Sequence, residues 1–96
     1  MKELQIFYLP GCPYCAKARQ AVEELTGENA AYERIPLRWI NEQTETALAE
    51  NMDYYYVPTL FYNGDKLYEC SPRHDYAVIK AHINRAYDTV LGQASE

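Results

Sequence analysis

Ninety-six residues are enough for one compact domain with one core. A hydrophobic share of 48% with 24% charged residues and a mean hydropathy of -0.49 excludes a membrane protein, and no run approaches the roughly 18 apolar residues of a span. Nine Lys and Arg against fourteen Asp and Glu leave a net charge of -5, which opposes binding to nucleic acid.

In chain order, Lys2 and Glu3 precede only a short apolar run with no small-residue cleavage pattern, so a cytoplasmic chain without a signal peptide is expected. Residues 3–9, ELQIFYL, bounded by Pro10-Gly11, predict a strand buried on both faces. A helix should follow, with Pro13 at its first position and Cys15, Ala18, Val22 and Leu25 on its apolar stripe, stopping at Gly27. Residues 30–37, AAYERIPL, suggest a second strand ended by Pro36 and parallel to the first. Residues 41–52 suggest a short helix capped by Asn41. Asn63-Gly64 between two runs of strand formers predicts a tight hairpin. Ser71 should cap a last helix with Pro72 at its first position and an apolar stripe of Tyr76, Ile79, Ile83, Ala86, Tyr87 and Val90, ending at Gly92 before a frayed QASE tail. The expected architecture is one α/β domain over residues 1–96, β-α-β-α-β-β-α, with a four-stranded mixed sheet flanked by three helices.

Three cysteines, only two of them close in sequence, do not make a secreted disulfide framework. Cys12 and Cys15 enclose Pro13-Tyr14 at a strand-to-helix junction, and VPT follows some forty residues later, before the hairpin. With the element order, these motifs resemble the thioredoxin superfamily, and the short length and Pro-Tyr filling resemble its glutaredoxin branch, from Leu4 to about Val90.

At a helix N-terminus, unpaired N–H groups and the positive end of the dipole favour an anion, so Cys12 is expected to be the nucleophilic thiolate. Cys15 lies one turn on, on the same face, and is expected to resolve the mixed disulfide. A structural disulfide or half of a zinc site is the other reading of the pair. Zinc usually takes four ligands, and the sequence offers no second CxxC and no close His pair. No metal and no tightly bound cofactor is therefore expected.

The resemblance implies a cis proline at Pro58, with the Val57 backbone pairing to substrate like an added strand. Pro13 and Tyr14 should tune the thiolate and touch substrate, and Tyr56 could form a wall for a peptide or for glutathione. For Tyr54, Tyr55 and Tyr56 the other reading is packing onto the core. Tyr8 is expected in the core, and Trp39, beside Arg38, as a partly buried loop anchor, with a surface patch for partner proteins as the other reading. Cys70 is expected to be an inert packing residue, with a regulatory disulfide as the other reading. His74 and His82, at i and i+8, are expected to be solvated.

Similar glutaredoxins bind glutathione through a basic residue three before the first cysteine, a double glycine after the hairpin and a Ser/Thr-Asp pair opening the last helix. Here Leu9, Tyr68-Glu69 and Ser71-Pro72 stand at those places, and of these only Ser71 fits. Free N–H groups at that helix start could still hold a carboxylate, with Arg73 or Arg38 adding charge and Glu69 opposing. The buried acid that thioredoxins place six residues before the first cysteine is Ile6 here.

The expected activity is dithiol-disulfide oxidoreduction of protein or glutathione-mixed disulfides by a monomer, with glutathione as a possible co-substrate. One alternative replaces glutathione by a thioredoxin-reductase-type donor. Another is an iron-sulfur cluster carrier in which two protomers use Cys12 and glutathione.

Overall fold

The computed structural model describes residues 2–94. Its elements are β1 (Leu4–Tyr8), α1 (Pro13–Glu28), α2 (Ala30–Glu33), β2 (Leu37–Asn41), α3 (Thr46–Glu50), β3 (Thr59–Tyr62), β4 (Asp65–Glu69) and α4 (Tyr76–Ala94). The sheet order is β2-β1-β3-β4. β1 runs parallel to β2 and antiparallel to β3, which is antiparallel to β4, so the sheet is mixed as expected.

The two-residue period of a strand divides β1 between two cores. Leu4 and Ile6 face Ala18, Val22 and Leu25 of α1 and Ile79, Ile83 and Val90 of α4. Phe7 faces the other way, onto Ile40 and Phe61, against Leu48 and Ala49 of α3. That double burial is why β1 reads as an unbroken apolar run. The β3–β4 hairpin closes at Asn63-Gly64, where both residues take positive φ, 52° and 87°, the geometry that a tight two-residue turn demands.

Several expectations are corrected. The second strand lies at Leu37–Asn41, because the Asn29 side chain accepts the Ala31 N–H at 3.0 Å and starts α2, a fourth helix where a strand was expected. α2 buries Tyr32, whose ring stacks on Tyr87 at 4.7 Å and whose hydroxyl bonds Asn84 and Asp88. Pro36 therefore precedes β2, and its carbonyl takes the Leu4 N–H at 2.8 Å.

The helix expected at 41–52 is only Thr46–Glu50, because Asn41 ends β2 and its side chain accepts the Gln43 N–H at 2.9 Å, making a turn. α1 and α4 run past Gly27 and Gly92, so neither glycine is a stop. Gln93 and Ala94, read as frayed tail, extend α4, and Ser95 and Glu96 lie outside the described residues.

The last helix starts at Tyr76 and not at Ser71. The Asp75 carboxylate accepts the Val78 N–H at 2.9 Å, and residues 71–74 form a separate turn in which the His74 N–H reaches the Ser71 carbonyl at 2.9 Å. That turn folds His74 over His82, which corrects the expectation that both are solvated. The two rings are half-buried and stack 5.4 Å apart, and Tyr68 stacks 4.6 Å from His82.

Burial, with His74 and Arg85 nearby, holds the His82 imidazole below its ordinary value of 6.5. The unfolded chain therefore takes up that proton first, and stability is lost as pH falls below 6.5 towards the folded value. Melting curves between pH 8 and pH 5 should show a smaller loss of stability in His82→Phe, which keeps a ring on Tyr68, than in the parent chain. An unchanged slope would contradict this assignment.

Candidate active site

β1 delivers the chain to Leu9, and Gly11, at φ 79°, turns it where a side chain would be strained. The Cys12 N–H closes this turn onto the Leu9 carbonyl at 3.3 Å. Cys12 is thereby the N-cap of α1, half-buried, and its Sγ accepts the Cys15 N–H at 3.3 Å. Pro13 follows at the first helical position, where no N–H is needed, and is exposed. An N–H aimed at sulfur from a helix start is a charge-assisted contact for a thiolate.

Cys15 sits one turn deeper and is 5% exposed. Burial first, with Cys12 beside it, pushes the Cys15 thiol up to about 12, so it stays protonated at neutral pH. One thiol is reachable and held by a donor, while the other is buried and neutral.

Across from Cys12, the Val57 carbonyl lies 4.0 Å from its Sγ, and the Val57–Pro58 peptide is cis, as the resemblance implies. Pro58 is buried, and its carbonyl takes the Cys70 N–H at 3.0 Å, which ties this loop to the end of β4. The three tyrosines before it separate. Tyr54 packs on Phe7 and Phe61, whereas Tyr55 is 90% exposed and Tyr56 53%.

Tyr14, expected to touch substrate, is half-buried and donates to the Pro72 carbonyl at 2.9 Å, joining the CPYC turn to the 71–74 turn. Tyr8 is half-buried rather than core. Its ring meets Trp39 edge-on at 6.0 Å, and the Arg19 guanidinium lies 4.2 Å from the Trp39 ring centroid. Trp39 itself is partly buried on β2, not on a loop.

Ser71 does not open α4, and the turn it begins offers little to an anion. The Ser71 N–H points to His74 Nδ1 at 3.3 Å, the Arg73 N–H to Ser71 Oγ at 3.4 Å and the His74 N–H to the Ser71 carbonyl, while Pro72 has none. Arg38 is engaged on β2 with Glu45 at 2.5 Å and Glu3 at 3.7 Å. Cys70 is 2% exposed, donates to the Ser71 carbonyl at 3.5 Å and is raised by burial, as suits a packing residue.

Among the described residues, no three His, Cys, Asp or Glu side chains gather as a metal site. Sequence reasoning took Glu69 only as an opposing charge. In the structure it accepts N–H groups of the tyrosine loop, a role with no signal in local sequence.

The glutaredoxin family model matches residues 4–67. The thioredoxin of Methanocaldococcus jannaschii is 30% identical over 63 residues, which are 66% of this chain and 72% of that one. A solved structure of a malarial protein aligns with a TM-score of 0.58 over 85% of this chain and 92% of its own. At 19% identity, it speaks to the fold alone.

Proposed function

Because the chain belongs to the glutaredoxin family, we propose that it is a dithiol-disulfide oxidoreductase that reduces protein disulfides through Cys12 and Cys15. The observation that carries this reading is the asymmetry of the pair: Cys12 caps α1 and accepts the Cys15 N–H, while the Cys15 thiol is buried and raised. The Cys12 thiolate attacks one sulfur of the substrate disulfide. That bond breaks, the leaving sulfur takes a proton, and Cys12 is joined to the substrate. Cys15 then gives up its proton and attacks the Cys12 sulfur, which releases the second substrate thiol and leaves a Cys12–Cys15 disulfide. Two electrons have passed to the substrate.

In this reading the Val57 backbone beside cis-Pro58 receives the substrate chain, as the family resemblance implies, and exposed Tyr56 flanks it. Two electrons from a donor restore the dithiol. A thioredoxin-reductase-type donor is favoured over glutathione by the 71–74 turn, whose N–H groups are bonded internally, with Pro72 lacking one. Turnover should be at least about tenfold faster with such a reductase than with glutathione and glutathione reductase. The reverse ranking would return the protein to glutathione-driven exchange.

Alkylation checks the thiol assignment independently of any donor. At pH 7, iodoacetamide should modify Cys12 at least about tenfold faster than Cys15 or Cys70, read by peptide mapping. Equal labelling of the three in folded protein would contradict it.

A further inference from the structure

β4 carries an irregularity with a chemical consequence. Leu60 pairs with Tyr68 and Phe61 with Lys66, so Leu67 is an extra residue opposite the Leu60/Phe61 step. In a regular strand, residues three apart point to opposite faces. Here the extra residue resets the alternation. Lys66 stands opposite Phe61 and Glu69 opposite Thr59, so both point to the face where Phe61 meets Tyr54 and Val57.

On that face the pair grips the loop before cis-Pro58. Glu69 Oε2 accepts the Tyr55 N–H at 2.8 Å and the Tyr56 N–H at 2.9 Å. Glu69 Oε1 meets Lys66 Nζ at 2.8 Å, and the same Nζ donates to the Asp53 carbonyl at 3.1 Å. The next residue, Val57, is the one whose carbonyl faces Cys12.

We propose that Glu69, set by the bulge at Leu67 and braced by Lys66, is a positioning residue that holds the Val57 peptide in register for an incoming substrate chain. This rests on the oxidoreductase reading above and adds to it a determinant outside the CPYC segment. Burial alone would raise the Glu69 carboxyl, but Lys66 and the two N–H groups outweigh it and hold the group below the usual carboxylate range, so the acceptor is ionised at neutral pH. Two charge-assisted bonds from adjacent N–H groups restrict the loop more than one bond could, because they fix the orientation of two successive peptide planes. An exposed loop left without them would have to be ordered when substrate binds, which weakens binding but leaves the sulfur chemistry alone.

The test compares Glu69→Ala, Glu69→Gln and the parent chain in reducing insulin with dithiothreitol as donor, beside hydrogen exchange at the Tyr55 and Tyr56 amides. Glu69→Ala should raise KM about tenfold with kcat within about twofold, and both amides should lose protection. Glu69→Gln, which keeps an acceptor oxygen, should restore most of both, and Cys12 should be alkylated at the same rate in all three. Unchanged amide protection in Glu69→Ala overturns the grip itself. Lost protection without a rise in KM, or an equal loss in kcat with slowed alkylation, overturns the positioning role. Parent protein that is inert toward insulin overturns the oxidoreductase reading, whereas protected amides in that same protein still uphold the grip.

Discussion

Cys12→Ser is expected to abolish disulfide exchange, a fall of about a thousandfold or more toward the uncatalysed background. Serine keeps the size and the N-cap acceptor, so α1 and its start are retained. What is lost is the sulfur that, in the proposed mechanism, attacks and then carries the substrate. Cys15→Ser should behave differently, because in the proposed mechanism the buried Cys15 acts only in the second step. It should still form the mixed disulfide but fail to release it, so reduction of protein disulfides stalls while any single-thiol removal of glutathione continues. Equal loss in both reactions for both variants would contradict the assigned roles.

Tyr87→Ala should cost about 3–5 kcal/mol of stability. Tyr87 is 1% exposed on α4, and its ring lies 4.7 Å from Tyr32, near parallel, at the junction of α2 and α4. Truncation removes a large buried ring and leaves Tyr32 without its stacking partner, so that α2 is tied to α4 chiefly through the Tyr32 hydroxyl bonds to Asn84 and Asp88. A domain of this size commonly has about 5–15 kcal/mol in all, so the variant should unfold well below the parent midpoint in urea. Tyr87→Phe, which keeps the ring, should cost about 1 kcal/mol or less. A loss below about 1 kcal/mol for Tyr87→Ala would show that the α2 contact does not support the core as described.

The parts of the fold that could be read in advance are those whose causes are local. Pro13 after Cys12 marks the start of α1, Asn63-Gly64 permits only a turn with positive φ, and the apolar run of β1 reflects burial on two faces. The α2 segment failed because Ala-Ala-Tyr-Glu is compatible with either state. The deciding feature is the Asn29 cap, whose side chain accepts the Ala31 N–H. At the start of α4 the cap is Asp75 and not the expected Ser71. Ser71 instead closes a local turn in which its N–H and the Tyr68 hydroxyl meet His74 Nδ1, and Asp75 accepts the Val78 N–H.

The active site divides in the same way. The placing of Cys12 and Cys15 at a helix start was legible because that spacing and position have a chemical meaning, and the cis peptide at Pro58 came only through the family resemblance. Glu69 was not legible, since its partners lie 13 and 14 residues away and its face depends on a bulge that no turn residue announces. The stack of Tyr68, His74 and His82 was hidden for a related reason: it joins β4, a turn and α4, and none of the three segments signals it alone.

The most direct test of the central claim is to trap the covalent intermediate: Cys15→Ser is mixed with an oxidised protein substrate, quenched with acid and mapped by mass spectrometry. A mixed disulfide on Cys12, with Cys70 unmodified, is the predicted result. A bond to Cys70, or none at all from protein whose Cys12 still alkylates rapidly, would contradict the account.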